Sequence, residues 1–111
     1  MTDKKYNGWT NWETWSFNLH WDDAFSEDAQ MFYDASEANK TFTREEQAAL
    51  DLAASIKETA EQSLEDQGIY GAKSNLWMQD MVNGYISEVN FYEIAKNYID
   101  ETEKESEAAT S

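Results

Sequence analysis

The residues able to do chemistry in this chain are few in kind: 23 carboxylates, one histidine and no cysteine. His20 stands next to Asp22 and Asp23, a grouping that suits a metal ligand or a general base. No second histidine and no thiolate completes it, and no serine sits in a nucleophile elbow. His20 therefore reads as a histidine at the edge of the core or partly exposed. Calcium is tested by the segment Asp22-Asp23-Ala24-Phe25-Ser26-Glu27. An EF-hand loop needs a glycine at its sixth position, and Glu27 stands there instead. A glycine-rich phosphate loop is missing as well. The expectation is a protein without catalytic, cofactor or metal residues, and not an enzyme.

What remains is the acid itself, with a formal net charge of −15. Such a charge argues against direct binding to nucleic acid, whose phosphates would repel it, and against anionic membrane surfaces. A protein partner with a cationic surface fits. The candidate partner-binding residues are Asp22, Asp23, Glu27, Asp28, Asp34, Glu37, Asp51, Glu58, Glu61 and Glu65. Carboxylates three or four apart on a helix lie about 5–6 Å apart at Cβ, comparable with neighbouring phosphates on one DNA strand, which rise about 3.4 Å per nucleotide. A rigid bundle carrying such rows would enter the cationic groove of a DNA-binding protein, under strong and salt-sensitive steering. The alternative is a structural or adaptor domain whose acidity serves solubility only. Tyr33, Trp77 and Tyr92 would then be its docking residues if exposed.

These side chains need a scaffold, and the stretch Tyr6–Trp21 is its centre, because it holds all but one of the five tryptophans. Asn7-Gly8 is a turn dipeptide. Thr10 as N-cap puts Glu13 at the third helical position, a capping box. Trp12, Trp15, Leu19 and Trp21 then fall on or near one face, with Ser16 and Asn18 turned away. An aromatic cluster can stack bases or cage a methylated cation, but base stacking comes with a basic groove, and the neighbours here are Asp22, Asp23 and Glu27. The expected role of the indoles is to form the core.

Further along, Ser26 is an N-cap candidate for a second helix with Ala29, Phe32 and Tyr33 on its apolar stripe. Thr41-Phe42 reads as a connector. Thr43-Arg44-Glu45-Glu46 is a capping box opening a helix through Ala48, Ala49, Leu52, Ala53, Ile56, Ala60 and Leu64, stopped by Gly68 at C′. Ile69–Lys73 is a loop. Ser74 or Asn75 caps a fourth helix with Leu76, Trp77, Met81, Tyr85 and Ile86, in which Gly84 points to close packing against the aromatic helix. Asn90-Phe91-Tyr92-Glu93 is a third capping box, with Val89 and Ile94 as its hydrophobic staple. The prediction is an all-α bundle of about five helices, one domain over residues 1–103, and a disordered acidic tail over 104–111.

The 111 residues suffice for one core. Proline is absent, so nothing breaks a helix from inside. No apolar run approaches the roughly 20 residues that cross a bilayer. Met1–Tyr6 shows no apolar h-region, and the cytoplasm is the expected compartment.

Asn7-Gly8-Trp9-Thr10-Asn11-Trp12-Glu13-Thr14-Trp15, followed by Leu19, resembles the "NG(W/Y)TN(W/Y)ETW" signature of a family of small, largely uncharacterised proteins of phages, bacteria and archaeal elements. Ser87–Ala95 resembles that family's "xVNWxEIA" motif, with Phe91 where tryptophan is more usual. Family members often continue Trp-Leu where this chain has His20-Trp21. The resemblance implies a small helical domain often encoded on mobile elements, and it brings no activity or catalytic residue. With the charge, it points to a protein that binds a host nucleic-acid-binding or defence protein, as a DNA mimic in the sharpest form.

Overall fold

The computed structural model describes residues 8–68 and 76–110, without the side chains of Asp22 and of residues 106–110. The fold is all-α, with no β-sheet among the described residues. Helix α1 (Trp12–Trp21) passes through a 3₁₀ turn, Asp22–Phe25, into α2 (Ser26–Ala35); α3 (Arg44–Asp66), α4 (Leu76–Glu88) and α5 (Phe91–Thr110) follow. Helices α3 and α5 make the largest contact, α2 lies against both, and α4 touches mainly α1. The molecule measures 55 × 34 × 27 Å.

Its core is mainly aliphatic, with Phe17, Phe25 and Tyr33 as its buried rings. Ala48, Ala49, Leu52, Ile56 and Ala60 of α3, Ile94, Ala95 and Ile99 of α5, and Ala29 of α2 are all at most 3% exposed. The alanines let the helices approach closely, and each buried leucine or isoleucine contributes about 1.5–3 kcal/mol. Both ends of α3 form as the sequence predicts. Thr43 Oγ accepts from the Glu46 N–H at 3.1 Å, and the Glu46 carboxylate accepts from the Thr43 N–H at 2.9 Å. At the other end Gly68 takes φ +78°, a left-handed conformation that glycine adopts without strain. Arg44 fixes where α3 begins: its Nε donates to the Tyr33 carbonyl at 3.0 Å, and its guanidinium lies 4.0 Å from the Tyr33 ring centre. In the connector, the Asn39 side chain accepts from the N–H groups of both Thr41 and Phe42 at 2.9 Å.

Helix α1 departs from its sequence reading. Its cap is Asn11, one residue later than predicted. Asn11 Oδ1 accepts from the Thr14 N–H at 2.8 Å and the Thr14 hydroxyl at 2.6 Å. The face turned inward is Thr14, Ser16 and Phe17, whereas Trp12 is 47% and Leu19 59% exposed. Of the predicted stripe only Trp21 packs against the core, Trp12 and Leu19 point outward, and none of the five tryptophans is fully buried. The physical reason lies in the ends of α4 and α5. Thr14 Oγ1 also accepts from the Asn90 N–H at 2.8 Å, Asn11 Nδ2 donates to the Glu88 carbonyl at 2.8 Å, and the Thr10 N–H donates to Glu93 Oε1 at 3.1 Å. Three helix ends meet there, and their polar groups hold Thr14 inward.

The third capping box is altered by the same contacts. Asn90 Oδ1 accepts from the Glu93 N–H at 3.0 Å as predicted, but the Asn90 N–H turns to Thr14 and the Glu93 carboxylate to Thr10. Val89 and Ile94, the predicted staple, are both buried. Helix α2 has no side-chain cap; it grows from the 3₁₀ turn with Phe25 in the cap position, so Ser26 is not one. In α4 only Ile86 is buried, while Leu76, Trp77 and Met81 are exposed. Nothing among the described residues lies within 4 Å of a Cβ built on Gly84, so its predicted close packing does not occur. The loop Ile69–Lys73 and the cap candidates Ser74 and Asn75 lie outside the described residues. Helix α5 stays helical through Thr110, past residue 104, where composition places the tail; Glu, Lys and Ala are strong helix formers. Thr102 is the last residue described as buried.

Two outcomes test these contacts. Thr14→Val keeps the shape and removes the hydroxyl, leaving the Asn90 N–H and Asn11 Oδ1 each without a partner from residue 14's side chain. Its expected cost is about 2 kcal/mol in urea unfolding, with Thr14→Ser losing much less. Glu45 has its carboxyl held below its ordinary value of 4.5 by its own backbone N–H, by hydrogen bonds with Glu103 and Thr43, and by the Arg44 charge. A lowered folded-state value stabilises above the unfolded value and is lost as pH falls through the folded one. Glu45→Gln should therefore lose the helix-terminus and Arg44 interactions at neutral pH, a cost of no more than about 0.5 kcal/mol once solvent screening is allowed for. In thermal melts its deficit should close as the pH drops below 4.5.

Candidate cation-binding groove

A groove of about 790 Å³ lies between the 3₁₀ turn with the start of α2 and the second half of α5. The turn that joins α1 to α2 places Asp23 and Glu27 on one wall, four residues apart. The opposite wall carries Glu101 and Glu105, also four apart. Trp9 and Tyr98, both half-buried, line the groove between them. Tyr98 is positioned from beneath by the buried Phe25, with ring centres 6.1 Å apart at 85°. Phe25 in turn stacks on Trp21 at 5.3 Å, and Trp21 on Phe17 at 5.6 Å. A ladder of rings thus ties the aromatic helix to the groove lining.

Chemically, this is a place for positive charge. Carboxylates on two walls offer acceptors to ammonium or guanidinium groups, and aromatic rings between them add cation–π attraction, about 0.5–2 kcal/mol by degree of desolvation. The acids are spread along the walls, and no group of three or more metal-ligating side chains converges among the described residues. The geometry therefore suits an extended cation, such as basic side chains of a polypeptide. Glu101 is already approached by Lys104 at 3.7 Å, but both side chains are about 70% exposed, so the pair is weak and easily exchanged.

The sequence candidates divide sharply. Asp23 and Glu27 enter the groove. Asp51 and Glu58 line a second, shallower hollow of about 570 Å³ beside Phe32, between α2 and α3. Asp34, Glu37 and Glu65 are exposed, and Asp28 and Glu61 half-buried, outside both hollows. The Asp22 side chain lies outside the described residues. Tyr33 is buried and Tyr92 half-buried, so of the three aromatic docking candidates only Trp77 is exposed. His20 is exposed at the end of α1.

Sequence reading missed Glu101, Glu105, Trp9 and Tyr98 as site residues. A signal for the first two existed: Tyr98, Glu101 and Glu105 recur at helical spacing and share one face of α5. Acid is also segregated. Glu13, Asp80 and Glu88 are the only acids of α1 and α4, whereas α3 alone carries Glu45, Glu46, Asp51, Glu58, Glu61, Glu65 and Asp66. No helix among the described residues is long and apolar enough to cross a membrane.

Residues 2–105 match the model of DUF7249, a family of unknown function, and the chain belongs to that family. No curated protein and no solved structure matches it.

Proposed function

We propose that this family member is a non-enzymatic acidic binding protein whose partner is a protein with a cationic surface. The observation that carries the reading is a single groove lined by carboxylate pairs from two elements, Asp23 with Glu27 and Glu101 with Glu105, together with the rings of Trp9 and Tyr98. Basic side chains of the partner enter between the rows, and the remaining acid of α2, α3 and α5 steers the approach. The finer form of the proposal is a mobile-element protein that occupies the nucleic-acid groove of a host DNA-binding or defence protein as a DNA mimic, acting in the host cytoplasm. The resemblance of Asn7–Trp15 to proteins of such elements supports the setting, and two rows of negative charge on opposite walls support the mimicry. The competing view, acidity for solubility alone, asks for no particular arrangement of the carboxylates.

The test compares two double variants with the same change in charge. Glu27→Gln with Glu101→Gln empties both walls, and Asp34→Asn with Glu65→Gln acts outside the groove. Calorimetric titration of an arginine-rich peptide at about 0.01 M salt, where the Debye length is roughly 30 Å, should find the first variant about tenfold weaker than the parent. The second should stay within about twofold. Equal losses would reduce the interaction to general charge attraction and end the groove reading. Displacement of duplex DNA from a basic DNA-binding protein by the parent, and not by the first variant, checks the mimic form.

A further inference from the structure

The opposite character appears on α1 and α4. Leu76, Trp77 and Met81 of α4 are 63–64% exposed, and Trp12 and Leu19 of α1 are 47% and 59% exposed. The two helices run antiparallel, with Asn11 bonded to Glu88 and Ser16 to Tyr85. Trp12 meets Tyr85 edge-on at 5.8 Å, so the exposed side chains form one surface. Along α4, Trp77, Met81 and Gly84 are spaced four and then three residues apart, which aligns them in a single stripe of the kind that packs helix against helix. Neither close packing nor backbone conformation asks for glycine at 84: a Cβ there meets nothing within 4 Å among the described residues, and its φ is not in the left-handed region. Glycine is a poor helix former, and yet it stands in the middle of the exposed stripe.

The stripe is complementary to itself. With two α4 helices antiparallel about a two-fold axis between Asp80 and Met81, each Trp77 lies over the other copy's Gly84, and the two Met81 side chains flank the axis. A bare glycine backbone is the surface that lets an indole sit flat there. Charge favours the same pairing. Helices α1 and α4 carry three acids, Glu13, Asp80 and Glu88, against seven on α3, so two copies of a −15 protein meet less repulsion there, with Asp80 and Glu88 at the edge and end of the stripe. Counted at an upper value of about 200 Å² each, the exposed fractions of the five side chains amount to at most roughly 600 Å² per chain, the size of a weak, concentration-dependent interface. A standard interface buries roughly 800 Å² per partner, and the half-buried Tyr85 flanks the stripe. We propose that the α1–α4 face is an isologous interface between two copies of this chain, with Trp77 seated on Gly84 of the partner subunit.

Sedimentation of the full chain from about 1 to about 500 µM tests this, since an interface of this size is expected to associate in that range. Added salt should strengthen the dimer by screening the repulsion between copies, whereas binding of the basic peptide in the groove should weaken with salt. Gly84→Ala gives opposite signs in two readouts. It should raise the thermal midpoint of the dilute monomer and weaken dimerisation about tenfold or more. Trp77→Ala, at an exposed position, should leave the helical circular dichroism intact and abolish the dimer. A chain that stays monomeric at the top concentration in high salt overturns the proposal. So does a Gly84→Ala variant that dimerises like the parent. Glu27→Gln with Glu101→Gln leaves this interface unaltered, so failure of the groove reading and failure of the dimer are told apart.

Discussion

The structure depends on one buried hydroxyl. Thr14 Oγ1 donates to Asn11 at the start of α1 and accepts from the backbone of Asn90 at the start of α5. These partners are far apart in the chain and lie in its two motif-bearing stretches. Helix ends carry backbone groups with no partner inside the helix, and burial makes an unmatched group costly. Gathering the start of α1, the end of α4 and the start of α5 at one point resolves three such ends together. Asn11 with Glu88, Thr14 with Asn90 and Thr10 with Glu93 are the three stitches.

That constraint sets the orientation of everything aromatic. Once Thr14, Ser16 and Phe17 face inward, the indoles of Trp12 and Trp15 cannot. Trp21 keeps a structural place by stacking between Phe17 and Phe25. Trp12 is left at the surface, where it meets Tyr85 of α4. The apolar burial that the indoles do not supply comes from Leu52, Ile56, Ile94 and Ile99, closely packed by the alanines around them.

Two unlike surfaces result. The α2–α3–α5 layer bears most of the acid, and α5 faces the start of α2 across a groove with ringed lining and carboxylate walls. The α1–α4 layer is apolar and sparsely charged. On the two proposals salt would act in opposite directions, because attraction to a cation is screened in one and repulsion between like copies is screened in the other. A small protein divided in this way can present a doubled acidic surface through its apolar side.

What the sequence determined by itself is what neighbours in the chain decide. The Thr43 capping box, the Gly68 stop, the small-residue face of α3 and the all-α class rest on contacts within a few residues, and all are found. Asn90 accepts from Glu93 for the same reason. Tertiary structure alone decided which face of α1 turns inward. Helical spacing is satisfied equally by the Trp12–Trp15–Leu19 stripe and by the Thr14–Phe17–Trp21 stripe. The choice between them follows from hydrogen bonds to residues more than 70 positions away. The same holds for the groove: Asp23 and Glu27 are legible as a pair, but Glu101 and Glu105 come opposite them only because α5 packs back along α2. Periodicity reports that a helix has a face; only its partners say which face is buried.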